Sequence, residues 1–360
     1  MLESYATAPA VLKLYGEHAV VHGKLAAAIA VKLYAKASIS ESDSDSMQIN
    51  LKSLNQRSSF SEGNITKLFQ EYRKSEEKGK DGKDSIGAYV DKCIKDGISK
   101  DLLPYVIIAG RVMHDYSVKL SGISIEIESG IPISKGFASS AACSTAFAAA
   151  LAKSRGITVP DNELIDIARD GERIVHKNCN AGKIDVNTSF YGGCILYSDS
   201  TGVARERLPE GIQLLAIDTG PKRPTSETVG NVTHKLETDR EGTLSRFDQI
   251  EGCTKLGIEA LKRNDLKTAG ELMYKDQELL KELGVSSPSL DTAISIAKES
   301  GAYGAKLSGG GGGGVAIAIS SNPKALIDRF KSIGFKTSLV DLCSEGCTVS
   351  NSKMREKRNA

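Results

Sequence analysis

Tryptophan is absent from the 360 residues and aromatic side chains make up only 5% of them, so the chain offers no stacking platform for single-stranded nucleic acid. An excess of one charge is lacking too. The formal net charge of +2 gives no electrostatic argument for a nucleic-acid or membrane partner. No apolar stretch reaches the length of a membrane span, and the N-terminus lacks the basic-then-apolar pattern of a secretory leader. The seven cysteines, Cys93, Cys143, Cys179, Cys194, Cys253, Cys343 and Cys347, form no CxxC pair, and their odd number argues against a complete disulfide framework. They read as reduced thiols, which predicts a cytoplasmic protein and makes the sequons at Asn64, Asn187 and Asn231 irrelevant. What remains is an ordinary globular composition, 40% hydrophobic and 26% charged, long enough for two domains.

The most informative stretch is Gly136-Phe137-Ala138-Ser139-Ser140-Ala141-Ala142. A proline-led strand end gives way there to small residues and then to an alanine-rich run of good helix formers. The first turn is expected near Ser139, where free amides and the helix dipole favour an anion and small side chains let a phosphate approach the backbone. A tightly packed core helix would look the same, so the stretch alone leaves both readings open.

Residues 5–15 and 26–40 read as strands, with the polar turn Gly16-Glu17-His18-Ala19-Val20-Val21-His22-Gly23 between them. Helical spacing covers 64–74, 86–98 and 102–116, a strand is expected over 118–127, and a helix over 161–176. The pattern places Asp185 where a loop meets an apolar strand over 186–197, a position equally suited to a turn residue. The second half predicts a strand at 212–217 and helices over 228–234, 244–261, 266–283 and 289–299. Strands at 305–308 and 315–320 follow, then a helix at 323–333 and a strand at 337–342. Six consecutive glycines, Gly309–Gly314, separate the two middle strands. Ordering such a run is entropically expensive, so it reads as backbone that must approach something closely. The mixed-charge stretch 74–83 reads as a solvated loop and 353–358 as a frayed tail.

Ordered along the chain, these stretches resemble the GHMP kinase superfamily, and the mevalonate kinases within it. The resemblance rests on Ala8-Pro9 followed by the GEHAVV turn, on the small-residue phosphate loop, on Asp218-Thr219-Gly220 with Arg223 and Thr225, on Leu279–Ser287, and on Lys306-Leu307-Ser308 with the glycine run. It implies a two-domain α/β (α+β) architecture. An N-terminal domain like ribosomal protein S5 would cover 1–200 and a C-terminal domain 201–360, with the active site between them. It also implies ATP and Mg²⁺, with mevalonate as the small-molecule acceptor. Lys135, Gly136, Ala138, Ser139, Ser140 and Ala141 would hold phosphates, and Ser140 (or Ser139) and Glu172 the metal. Asp185 would orient or deprotonate the acceptor hydroxyl. Glu17 and His18, with Arg223 and Thr225 nearby, would line the acceptor pocket. A homodimer is compatible with the family.

The chain departs from the family where a catalytic lysine is expected. The family strand reads A-P-G-K, and here it reads Ala8-Pro9-Ala10-Val11. Lys13 lies two residues on, on the same strand face roughly 6–7 Å away, and is expected to take over the cationic role. The related diphosphomevalonate decarboxylases carry a lysine at the matching place. Lys183, close to Asp185, is a second candidate. Another small-molecule kinase of the superfamily, acting on phosphomevalonate or a sugar, is the nearest alternative reading. A nucleotide-binding regulator that has lost turnover is the more distant one.

Overall fold

A computed structural model describes residues 4–79, 85–132, 136–220 and 225–351. The chain opens with two long antiparallel strands, β1 (Ser4–Tyr15) and β2 (Ala26–Glu41), joined through a short 3₁₀ turn at Ala19–His22. β3 (Met47–Leu51) and β4 (Gln56–Phe60) form a hairpin, and α1 (Glu62–Gly79), α2 (Ser85–Lys95) and α3 (Leu103–Tyr116) follow. β5 (Ile123–Ser129) then lies antiparallel to β2 and parallel to β3.

Next come α4 (Ser139–Ser154), α5 (Asp161–His176) and a short α6 (Lys183–Tyr191). The hairpin β6 (Cys194–Ser198) and β7 (Gly202–Glu206) completes this half, with β6 paired to the first residues of β2. Alanine dominates α4, and residues 141–152 are buried without interruption. Side chains this small let the helix lie close against β1 and β2, so its N-terminus ends beside the strand carrying Lys13.

The second half begins with β8 (Gln213–Asp218). Four helices follow: α7 (Thr225–Thr238), α8 (Arg240–Lys262), α9 (Leu266–Glu282) and α10 (Pro288–Glu299). Asp239, Asp265 and Ser287 cap the last three through side-chain bonds to backbone amides. β9 (Gly304–Ser308), β10 (Val315–Ile319), α11 (Pro323–Ser332) and β11 (Lys336–Asp341) complete a four-stranded antiparallel sheet in the order β11-β8-β10-β9. The chain then returns to the first sheet. Leu342 bridges Val31, the Cys343 amide donates to Ala30, and β12 (Thr348–Asn351) adds an edge beside β1.

The structure corrects several local expectations. Asp185 stands in the first turn of α6 instead of at a strand, because Lys183–Tyr191 closes two helical turns before Gly192 ends it at φ +71°. The expected boundary near residue 200 falls inside the β6–β7 hairpin, and the first sheet reclaims β12 from the far end of the chain. Residues 74–79 extend α1 where a loop was expected; 80–84 and the tail beyond 351 lie outside the described residues.

Candidate active site

The two sheets meet where β1 passes β9. The Ser308 hydroxyl spans the backbone of Lys13, accepting from its amide and donating to its carbonyl, each at 3.0 Å. This fixes the strand at the residue whose side chain matters most. From there the Lys13 ammonium reaches the first turn of α6 and donates to Asp185 Oδ2 at 3.0 Å. Burial disfavours the charged ammonium, but the Asp185 charge and hydrogen bond, with weaker help from Glu17 and Glu172, outweigh it. The lysine pKa is therefore raised, and the group stays cationic.

Val11 serves a different purpose. It is 1% exposed in an apolar cluster with Ala26, Ala28, Ile195 and Ile184, the residue just before Asp185. Position 11 thus supports the backbone of α6, while position 13 supplies the charge. Lys183, the other candidate cation, turns outward to Asp199 and lies 6.0 Å from the centre of the Tyr197 ring.

Among the described residues, Asp185 Oδ1 and both carboxylate oxygens of Glu172 are buried without a hydrogen-bond partner. His176 Nε2 stands 3.4 Å from Glu172 Oε2, an ion-pair distance; burial lowers the His176 pKa, but the hydrogen bonding and charge of Glu172 outweigh it and raise the value. Unsatisfied anionic oxygens in a protein interior require a cation or a donor. Among the described residues no group of three or more His, Cys, Asp or Glu side chains encloses a metal. The Glu172 carboxylate is the kind of hard oxygen donor that Mg²⁺ takes together with substrate phosphates. Ser139 is already bonded to the Ser129 hydroxyl at 3.1 Å, whereas among the described residues no such bond engages Ser140.

The stretch expected to hold phosphates is described from Gly136 onward; Lys135 and the preceding pair lie outside. Gly136 has φ +78°, and a Cβ there would sit 3.2 Å from the Ser308 carbonyl oxygen, so the loop packs directly on the end of β9. Ala138 adopts φ +47° ahead of α4 and provides no side-chain cap. Among the described residues no side chain caps the opening amides of α4, at Ser139, Ser140 and Ala141, the kind of helix start that favours an anion.

The GEH turn is tied to the second half instead of standing free. Glu17 is 2% exposed and its Oε1 accepts from the fully buried Lys306 ammonium. His18 has φ +62° and places Nε2 3.1 Å from the Gly310 carbonyl, which also accepts from the Thr228 hydroxyl at 2.8 Å. Burial pulls the His18 pKa down to about 4, so the ring is neutral and donates through Nε2. Lys24 pairs with Asp248, and His22 stacks on Phe247 of α8 at 4.6 Å. Arg223 lies outside the described residues, as does the side chain of Thr225, although that residue begins α7.

The glycine run has a concrete role. Gly312 donates to the Val285 carbonyl at 2.9 Å, and a Cβ on Gly311 would overlap that same oxygen. The 279–287 stretch and the glycine run are thus two sides of one close backbone contact. Sequence reasoning singled out Lys306 only as part of a motif and missed Asp276, whose Oδ2 lies 3.5 Å from the Lys306 ammonium. An acidic residue on the apolar side of a helix was the available signal.

The family model for the GHMP kinases N terminal domain matches residues 104–193, and that for GHMP kinases C terminal matches 258–334. The chain belongs to the GHMP kinase family. Its relatives include the mevalonate kinase of Saccharolobus solfataricus, 29% identical over 316 residues that cover 88% of this chain and 90% of that protein. The mevalonate kinase of Pyrococcus abyssi is 27% identical, covering 96% and 97% of the two chains. The crystal structure of the Methanococcus jannaschii mevalonate kinase shares the two-domain fold with a TM-score of 0.76 at 24% identity, over 94% of this chain and 98% of that one. As a GHMP kinase the chain is a phosphotransferase, and ATP is the donor that the family uses.

Proposed function

We propose that this GHMP kinase transfers the γ-phosphoryl group of ATP to the terminal hydroxyl of mevalonate, giving 5-phosphomevalonate for isoprenoid synthesis in the cytoplasm. One observation carries the catalytic part of this reading: Asp185 has one oxygen on the Lys13 ammonium and the other buried and unpartnered. Oδ1 accepts the proton of the acceptor hydroxyl as the hydroxyl oxygen bonds to phosphorus. The bond from the γ-phosphorus to the β–γ bridging oxygen breaks, and ADP leaves with the electron pair. Lys13 keeps Asp185 oriented and adds positive charge beside the transferring group.

The amides opening α4 bind the donor phosphates. Glu172 and Ser140 would hold Mg²⁺, which supplies neutralisation of phosphate charge when bound. The acceptor assignment draws on the GEHAVV turn and on relatives that are mevalonate kinases across most of their length. A phosphomevalonate or sugar kinase would use the same machinery with a different pocket. A regulator without turnover finds its support in Val11, and the Lys13–Asp185 contact weighs against it.

The test is ADP release by the purified protein with ATP, Mg²⁺ and mevalonate, 5-phosphomevalonate, galactose or no acceptor. Turnover with mevalonate alone is expected. Turnover only with another acceptor overturns the substrate, and ATP binding without any turnover overturns the enzyme reading.

A further inference from the structure

Beneath the GEH turn lies a charged group that the phosphoryl transfer does not use. Lys306 is wholly buried on β9, and around its ammonium stand two carboxylates that are also buried, Glu17 from the turn and Asp276 from α9. The ammonium donates to Glu17 Oε1 and to the Leu307 carbonyl at 2.7 Å, while Asp276 Oδ2 stays at 3.5 Å. Among the described residues neither Asp276 oxygen makes a hydrogen bond of good geometry, although the Gly16 amide faces the carboxyl, and Glu17 Oε2 has no partner.

Two ionised carboxylates against one ammonium would leave a net negative charge in the protein interior, which is costly. The other titratable groups facing Asp276 give no relief. Tyr15 comes from β1, with its hydroxyl donating to the Ala269 carbonyl at 2.7 Å, and Cys253 comes from α8. Burial pushes both upward, the thiol to about 11, so near neutrality both stay uncharged and supply no countercharge. The adjoining strand β10 reads Val-Ala-Ile-Ala-Ile and has no charge to offer.

We infer that Asp276 carries a buried proton and acts with Lys306 as a positioning residue for the Glu17–His18 turn. Protonated, Asp276 leaves the ammonium to Glu17. Ionised, it competes for that ammonium and loosens the turn on the acceptor side of the site. Burial, with the Glu17 charge adding to it, outweighs the charge and hydrogen bonding of Lys306 and the Gly16 amide that faces the carboxyl, and raises Asp276 to about 7. The switch therefore falls within the working pH range. The acceptor-side consequence rests on the kinase reading above, whereas the proton itself does not.

The experiment compares the full chain with Asp276→Asn between pH 6 and 9. The asparagine matches the neutral carboxyl in shape and cannot ionise. In wild type the KM for mevalonate should rise about tenfold from pH 6 to pH 8, as the competent fraction falls from about nine-tenths to about one-tenth. In Asp276→Asn it should stay flat, with turnover at pH 6 equal to wild type. Two further measurements need no acceptor and so stand even if mevalonate is not the substrate. The thermal midpoint of wild type should fall with rising pH relative to Asp276→Asn. Infrared spectra of wild type labelled with carbon-13 at aspartate carboxyls should show a protonated carboxyl at pH 6 that is lost by pH 9. Parallel melting curves, or no protonated carboxyl at pH 6, would overturn the proton. A pH-independent KM in wild type with mevalonate turnover intact would overturn the positioning role.

Discussion

Replacing Lys13 by methionine is the most direct test of the site, because it removes the ammonium while keeping an unbranched side chain of similar reach. A unit charge pair at 3.0 Å interacts by about 5 kcal/mol at an effective dielectric constant near 20. Desolvation offsets part of this, since the two side chains are only 26% and 13% exposed. If about half remains as differential stabilisation of the transition state, kcat falls by about 10²-fold. The KM for ATP should move little, because the amides proposed to bind its phosphates belong to α4. The assay is steady-state ADP release with mevalonate, combined with a double-mutant cycle against Asp185→Asn. The two changes should be strongly non-additive if the groups act as a pair. Turnover by Lys13→Met within about threefold of wild type would refute the assignment. So would full additivity in the cycle.

Other outcomes follow from the same geometry. Lys183→Ala should leave turnover essentially unchanged and shift stability by less than about 0.5 kcal/mol, because its partner Asp199 is at the surface; a loss comparable to that of Lys13→Met in the same assay would transfer the cationic role to Lys183. Gly311→Ala should cost about 3 kcal/mol by urea denaturation, since φ is +72° and the new Cβ would meet the Val285 carbonyl. His18 has a folded pKa depressed to about 4, so its neutral form stabilises the fold above the unfolded value near 6.5. That contribution is lost as pH falls between those two values, by up to about 3 kcal/mol, and His18→Gln should flatten this part of the stability–pH curve in chemical denaturation.

Much of the fold was legible because it is written in local patterns. The paired strands β1 and β2, the alanine-rich α4, α5, the four helices of the second half and the strands around the glycine run all follow from periodicity and capping residues. Elements stabilised mainly by distant partners were harder to read. β12 is four residues long and exists by pairing with β1, more than 340 positions away. Helix α6 has almost no amphipathic pattern because it is buried on several sides, so its apolar residues resemble a strand.

The same division runs through the site. The sequence by itself determined the chemistry on offer: a helix start free of bulky side chains, an aspartate and a glutamate in the right order, and a lysine displaced by two positions. Only the tertiary structure decided how these groups are used. It assigned Lys13 to Asp185 and Lys183 to Asp199, although the latter lysine is nearer to Asp185 in the chain. It also gathered Glu17, Asp276 and Lys306 into one buried group from positions far apart in sequence. Charge pairing depends on distance and burial in three dimensions, and a one-dimensional spacing records neither.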